Sequence, residues 1–477
     1  MSDHLRAAAS GPLAAELPAR FMEEHALLPL RVEPDGALVV ACGRPPDATI
    51  ADELQRRFGR TVRWYEAPLN DVQAAILAAR REATPVAPAS ALETEAMGDL
   101  RAQANDAPVV QLVNAMLADA LRTGASDLHL ETGRDGLRAR LRQDGVLRDV
   151  ATYPARLAAG ALSRVKLLAG LDIAERRLPQ DGRARVRLGD REVDLRVSTL
   201  PALHGESVVL RVLDHGGGAR DLPALGMPVT VEAAFARVLA RTSGLVLVTG
   251  PTGSGKTTTL YAALARLNQP GVKVVTVEDP VEYQLPGVTQ VPVHRKAGLT
   301  FATALRSILR HDPDIVMVGE MRDRETADVA IQAALTGHLV FSTLHTGDAP
   351  SGVTRLVDMG VEPYLVAATV QAILAQRLVR VLCPACVRRA PTGEGVPVGC
   401  AACGGSGFRG RTGLYELFVP DDAARQRIVA GATGDQLRAA ARTAGVASLV
   451  DAGRALVADG ITTMEEILRV TNAGEAE

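Results

Sequence analysis

The run Leu245-Val-Leu-Val-Thr-Gly250-Pro-Thr-Gly-Ser-Gly255-Lys-Thr-Thr-Thr-Leu260 decides how this chain is read. Its first five residues favour a β-strand. The next eight, Gly250, Pro251, Thr252, Gly253, Ser254, Gly255, Lys256 and Thr257, satisfy the pattern GxxxxGK[ST], and a helix-forming stretch opens at Thr258. Strand, glycine-rich loop and helix in that order form a cradle for a polyphosphate, whose charges need inward-pointing backbone N–H groups at a helix N-terminus. Gly253 and Gly255 allow the tight curl. Lys256 supplies a point charge for the β- and γ-phosphates, and Thr257 a hydroxyl for Mg²⁺, with Thr258 at the edge of the same cradle. Of 53 basic residues only Lys166, Lys256, Lys273 and Lys296 are lysine, so a lysine here runs against the composition of the chain. A compact ammonium suits a ring of amides where a planar guanidinium does not.

Outward from the loop, apolar strands expected at 245–249, 273–277, 315–318 and 338–342 alternate with helices, which implies a parallel sheet covered on both faces. Ligands bind at the carboxyl ends of such strands. Two acidic groups fall there: Glu278-Asp279-Pro280-Val281-Glu282 after one strand and Gly319-Glu320 after the next. Hydrolysis of a phosphoanhydride needs one carboxylate for water and one to organise Mg²⁺. The alternatives are a proline turn for Glu278 and Asp279, and capping of a helix starting at Arg322 for Glu320. His338 and His345 flank one strand, seven residues apart, and so cannot share a metal. Each is a candidate γ-phosphate reporter or an ordinary structural histidine.

A length of 477 residues suggests about three domains. Residues 1–82 read as a small α/β domain, with β-like runs at 36–41 and 61–65 around a helical stretch at 52–58. Residues 83–106, rich in Ala, Pro and Thr, read as a flexible linker. Residues 107–222 read as a second α/β domain, starting with a helix from Asp106-Ala107-Pro108 to Gly124 and continuing through alternating strands with an Asp144-Gly145 turn and a 183–188/192–198 hairpin. Residues 223–477 hold the phosphate-loop domain. Arg183, Arg185, Arg187 and Arg196 alternate with apolar residues on the hairpin, either as a solvated face or with one or two acting as arginine fingers.

Cys383-x-x-Cys386 and Cys400-x-x-Cys403, with 13 residues between the pairs, have the spacing of a closed tetrahedral zinc site. A redox disulfide pair is the alternative. Four thiolates leave no open coordination position, so a zinc ion there is structural. Gly404-Gly405 offers room for amides near the sulfurs. Cys42, alone in an apolar run, reads as a core residue.

Aromatic content of 3% and a net charge of −2 oppose a nucleic-acid partner that stacks bases or gathers phosphates. No uninterrupted apolar run approaches 18 residues and the first residues lack a secretory pattern, so a cytoplasmic location is expected.

Several stretches together resemble the secretion ATPase superfamily, specifically the type II secretion ATPases and their relatives that assemble type IV pili. They are GASDLHLE (124–131), LPQDGRARVR (178–187), HGESVVLRVLD (204–214), VTVEDPVEYQLPGVTQ (275–290), the segment 298–327, TGHLVFSTLHTGDA (336–349) and GCAACGGSGFRGRTGLYEL (399–417). The resemblance implies a RecA-like ATPase domain, a smaller PAS-like α/β domain before it, a small N-terminal α/β domain and a four-cysteine zinc subdomain near 380–412. It implies ATP, Mg²⁺ and Zn²⁺ as cofactors. By motif it places Glu278, Asp279 and Glu282 in an acidic box, Gly319 and Glu320 in a Walker B motif, and His338 and His345 in a histidine box, with Arg183 and Arg196 presented to the phosphates and Glu282 as general base. It implies a homo-hexamer peripheral to the inner membrane, bound through the N-terminal domain to a membrane-anchored cytoplasmic-domain partner and also to an inner-membrane platform protein. A pilus-assembly motor and a nucleic-acid translocase are the alternatives. His294-Arg295-Lys296, more basic than the family pattern, is expected to lie apart from phosphate chemistry.

Overall fold

The computed structural model describes residues 12–15, 17, 21–22, 25–43, 48–69, 71–72, 75, 103–188, 191–213, 221–390 and 393–471. The linker expected at 83–106 lies largely outside them; its last part, 103–105, is helical. Two units separate by their contacts, one ending at Ala102 and the other beginning at Gln103.

In the first unit β1 (Leu27–Val32), β2 (Leu38–Cys42) and β3 (Val62–Glu66) form a sheet in the order β1-β2-β3, with the helix Ala48–Phe58 crossing between the parallel strands β2 and β3. β1 is not legible from propensity because Pro29 interrupts it. It is tolerated because β1 is an edge strand, with a register shift at Pro29/Arg31. Cys42 is buried, as its apolar run implies.

The second unit opens with the helix Ala107–Thr123, which Gly124 ends in the left-handed region (φ 67°). An antiparallel six-stranded sheet follows: β4 (Asp127–Gly133), β5 (Gly136–Gln143), β6 (Val146–Tyr153), β7 (Gln180–Leu188), β8 (Arg191–Ala202) and β9 (Gly205–Leu213), in the order β6-β5-β4-β9-β8-β7. Asp144 (φ 49°) and Gly145 (φ 82°) make the tight turn between β5 and β6, as the Asp-Gly pair demands. One face of this sheet buries Leu128, Leu130, Leu141, Val193, Leu195 and Leu210 against Ala107–Thr123 and the helix Ala155–Leu168. The opposite face keeps the arginines. Lys166 is 1% exposed, pairs with the buried Glu206 and donates to the Glu175 carbonyl at 2.7 Å, which ties down the chain leading into β7.

The main sheet contains β10 (Gly244–Thr249), β11 (Val274–Glu278), β12 (Thr289–Pro292), β13 (Ile315–Val318), β14 (Leu339–Leu344) and β15 (Val370–Leu382), all parallel, while β18 (Phe408–Phe418) runs antiparallel on β15. The order is β12-β11-β13-β14-β10-β15-β18, and a two-residue ladder of β16 (Arg388–Arg389) and β17 (Gly395–Val396) sits between the cysteine pairs. Both faces are covered, so β10, β13 and β14 are buried at every residue and read as unbroken apolar runs. The helix after the phosphate loop spans Lys256–Leu267, two residues earlier than the sequence suggests, because Gly255 in the left-handed region (φ 88°) is its N-cap.

The C-terminal helices Asp422–Val429, Gly434–Thr443, Leu449–Ala458 and Met464–Thr471 close over β15 and β18. Glu466 anchors them. It accepts from Arg380 Nη2 (2.8 Å), the Arg380 N–H (3.0 Å), Arg469 Nε (2.7 Å) and Arg469 Nη2 (2.6 Å). Burial works to raise its pKa, but the hydrogen bonds from Arg469 and Arg380 prevail and hold the carboxyl at about 2. The folded value lies below the unfolded one, so the group adds stability on the order of 3 kcal/mol, complete above about pH 5 and lost as the pH falls toward 2. Urea unfolding of Glu466→Gln should therefore show a deficit of roughly that size at pH 7 that narrows by pH 3; a deficit equal at both pH values would count against this account.

Candidate functional site

The carboxyl ends of β10, β11, β13 and β14 converge on the phosphate loop. Gly250, Gly253 and Gly255 all take positive φ (150°, 80° and 88°). A Cβ on Gly250 would lie 2.5 Å from the Gln376 carbonyl oxygen and 2.6 Å from Ser254 Oγ, so no larger residue fits. Pro251, Thr252 and Gly253 are exposed at the tip, while Ser254 is 4% exposed with its hydroxyl unpartnered. Lys256 Nζ folds back to donate to the carbonyls of Gly250 (2.7 Å) and Pro251 (2.9 Å). Burial pushes this ammonium down to about 8; the charge of Arg377 adds to the shift and Glu320 opposes it. Thr257 and Thr258 are half-buried on the first turn of the helix.

Glu320 lies just past β13 with its side chain 16% exposed; its Oε2 accepts from Arg322 Nε at 2.7 Å and lies 3.9 Å from His345 Nε2. It does not cap a helix. Asp323 caps Arg324–Leu335 through the Thr326 N–H at 2.8 Å. Gly319 packs with a prospective Cβ 3.3 Å from the Val277 carbonyl oxygen, which explains a glycine between these strands. Burial and the charge of Lys256 hold the His345 imidazole below its usual pKa against the pull of Glu320, so it is neutral near pH 7. Lys256, Glu320 and His345 thus form one electrostatic group.

His338 does not join them. It precedes β14 at the amino ends of the strands, where its carbonyl accepts from the Gly244 N–H at 3.0 Å and its Nδ1 meets the Ala333 carbonyl at 3.0 Å. A strand of six residues, about 20 Å, separates it from the phosphate end. Within this chain it closes a helix end.

The acidic box divides by role. Glu278, 3% exposed, accepts from the Tyr261 hydroxyl, from Thr276 Oγ1 (2.5 Å) and from Gln290 Nε2 (3.1 Å), so its charge is spent inside the fold. Asp279 pairs with Arg295 Nη2 at 3.0 Å. The basic segment expected to stand apart therefore touches the acidic box directly. Glu282 faces a cavity of about 830 Å³ whose other wall carries Arg183, Arg185 and Arg196. Arg185 is held by Asp194 at 2.8 Å, whereas no carboxylate among the described residues pairs with Arg183 or Arg196.

Two contributors are not apparent in the sequence. Arg211 aligns with Arg196, which aligns with Arg183, so three arginines form a row across β9, β8 and β7, with Arg211 held by Asp127 Oδ1 at 2.9 Å and outside the lining of the cavity that Glu282 faces. Only strand register shows the row. Arg377, 4% exposed on β15, lies under the phosphate loop and donates to the Gly347 carbonyl at 2.8 Å.

The four cysteines converge with all Sγ atoms within 4.8 Å of one another. The Cys383–Cys400, Cys386–Cys403 and Cys400–Cys403 separations are 3.9, 3.8 and 3.8 Å. A tetrahedron of Zn–S bonds of about 2.3 Å has edges of about 3.8 Å, so this donor set fits zinc. The amides of Cys400 (3.1 Å) and Gly407 (3.2 Å) donate to Cys403 Sγ, and the amide of Gly399 to Cys386.

Residues 102–469 match the family model described as type II/IV secretion system protein, and residues 4–85 match the MshEN domain. The chain belongs to the type II/IV secretion system protein family. It is 54% identical over 78% of its length to type II secretion system protein HxcR of Pseudomonas aeruginosa, covering 79% of that protein. It is 42% identical to the type IV pilus assembly ATPase PilB of Myxococcus xanthus, over 95% of this chain and 85% of that one. Among solved structures, the pilus retraction motor PilT with bound ADP is 28% identical with a TM-score of 0.54, covering 75% of this chain and 96% of that one. Family and intact phosphate loop together make the chain an ATPase. Among the described residues no helix is long and apolar enough to cross a membrane.

Proposed function

We propose that this chain is the hexameric Mg²⁺-dependent ATPase motor of a type II secretion system, converting ATP hydrolysis into pseudopilus assembly and protein export. The observation that carries the reading is the cavity placing Glu282 opposite Arg183 and Arg196, in a chain whose ATPase domain carries a complete phosphate loop. Lys256 leaves the Gly250 and Pro251 carbonyls for the phosphates, and the loop amides take the remaining charge. Thr257 and Glu320 would hold Mg²⁺, which would supply charge neutralisation when bound. Glu320 orients the attacking water and Glu282 accepts its proton as the γ-phosphoryl group moves to water and ADP departs. Arg183 and Arg196 neutralise charge on the transferred group when the middle domain (107–222) closes on the ATPase domain (223–477), and phosphate release lets the cleft reopen.

The N-terminal domain (1–82), joined by the 83–106 linker, serves as the dock for a membrane-anchored cytoplasmic partner, and a platform protein in the inner membrane receives the motion. Zn²⁺ in the Cys383, Cys386, Cys400 and Cys403 site is structural. Type II secretion proteins match at 54% and 52% identity over about 80% of the chain, which favours export, while over nearly the whole chain a type II protein E (43%) and PilB (42%) are equally similar. Deleting the gene tests this: exported proteins should accumulate inside the cell while surface pili persist. Loss of pili with export intact would assign the chain to pilus extension.

A further inference from the structure

Glu282 sits on a loop, 279–286, that contains no regular structure, yet a catalytic carboxylate has to be held within a fraction of an ångström. The structure shows what holds it. Tyr261 lies on the helix that begins at the phosphate loop and is wholly buried. Its hydroxyl donates to Glu278 and accepts from the Glu282 N–H at 3.4 Å, while its ring meets Tyr283 edge-on with centroids 4.6 Å apart. Gln290, on the edge strand β12, joins the same cluster, its Nε2 lying 3.4 Å from the Tyr261 hydroxyl. Its Oε1 accepts from the Leu285 N–H at 2.7 Å, and its Nε2 donates to the Tyr283 carbonyl (3.1 Å) and to Glu278 Oε1 (3.1 Å).

We infer that Tyr261 and Gln290, joined through Glu278, are positioning residues that fix Glu282 against the arginine wall of the cavity and tie its place to the helix carrying Lys256 and Thr257. Neither side chain lines the cavity, so neither reaches the substrate itself. A purely structural role is a poor account of the polar part of this network. Burying Tyr261 and Tyr283 against Leu285 needs no hydroxyl, and the buried Glu278 carboxylate is offset only by the hydrogen bonds it accepts from Tyr261, Thr276 and Gln290, so those donors are bound into one unit. Burial, followed by the hydrogen bond and charge of Glu278, holds the tyrosine pKa far above its usual value, so its hydroxyl remains a donor throughout the working pH range.

The inference rests on Glu282 acting as the base, and the test separates the two claims. In the full-length oligomer Tyr261→Phe, which keeps the ring, should lower kcat by about 10- to 100-fold with KM for ATP, affinity for Mg-ADP and Tm close to wild type. Gln290→Met should show the same split. Adding Tyr261→Phe to Glu282→Gln should cost nothing further, because there is no longer a base to position. Wild-type kcat in Tyr261→Phe beside an inactive Glu282→Gln would overturn the clamp and leave the base in place. A parallel loss of Tm and nucleotide affinity, or a further tenfold loss in the double variant, would also overturn it. Full activity of Glu282→Gln would remove the base, and the clamp's purpose with it.

Discussion

Lys256→Ala is expected to lower ATP turnover at least 10²–10³-fold, with folding and metal content unchanged. The lysine contributes little to the fold, since its two contacts are carbonyls of the loop it belongs to, Gly250 and Pro251. Releasing those carbonyls exposes them to water at the mouth of the loop. The loss falls on charge stabilisation, because no other lysine lies near the cradle and Arg377, the nearest buried cation, is engaged with the carbonyls of Gln376 and Gly347. Arginine at this position should not rescue, since the space between two carbonyls 2.7 and 2.9 Å from one nitrogen is shaped for a point donor. Phosphate release, with circular dichroism as the fold control, checks this, and substantial turnover in the alanine variant would refute the site.

The second large effect concerns the cysteine module. Cys383→Ser, or chelation, should remove the metal and melt residues around 383–408, a local loss on the order of 10 kcal/mol. Regular structure in this segment is slight: β16 and β17 are two residues each, and beyond turns around the sulfurs it is held by the Ser406 hydroxyl and by Phe408 under Arg380. The module also reaches the middle domain. Arg148 Nη1 donates to the Cys403 carbonyl at 3.4 Å, and the Gly410 N–H donates to Asp144 Oδ2 at 3.0 Å, at the turn between β5 and β6. Melting it should therefore raise hydrogen exchange at 144–148 as well as at 383–410. Metal analysis gives the stoichiometry, with one zinc per chain expected. Unchanged protection in the metal-free protein would show that the module folds without an ion.

The fold was largely legible because its strongest signals are local. An apolar run before a glycine loop, an Asp-Gly turn and a CxxC pair each carry their geometry within a few residues. β1 was hidden by Pro29, whose edge position only strand pairing reveals. β12, β15 and β18 take their place from partners distant in sequence, so propensity alone does not find them. The site divides in the same way. The family resemblance groups His338 and His345 in one box, although their spacing of seven already sets them at opposite ends of one strand; the structure keeps His345 beside Glu320 and leaves His338 at the amino end. The row Arg183-Arg196-Arg211 exists only through antiparallel register, and Arg295 meets Asp279 only because a loop returns beside β11.

The central claim is that nucleotide at the phosphate loop draws the arginine face of the middle domain onto Glu282, and hydrogen exchange on the intact oligomer tests it most directly. With a non-hydrolysable Mg-ATP analogue, amides of 280–284 and of 183–196 should gain protection together, and both should lose it with Mg-ADP. Protection confined to 250–258 in an enzyme that still turns over ATP would contradict the account.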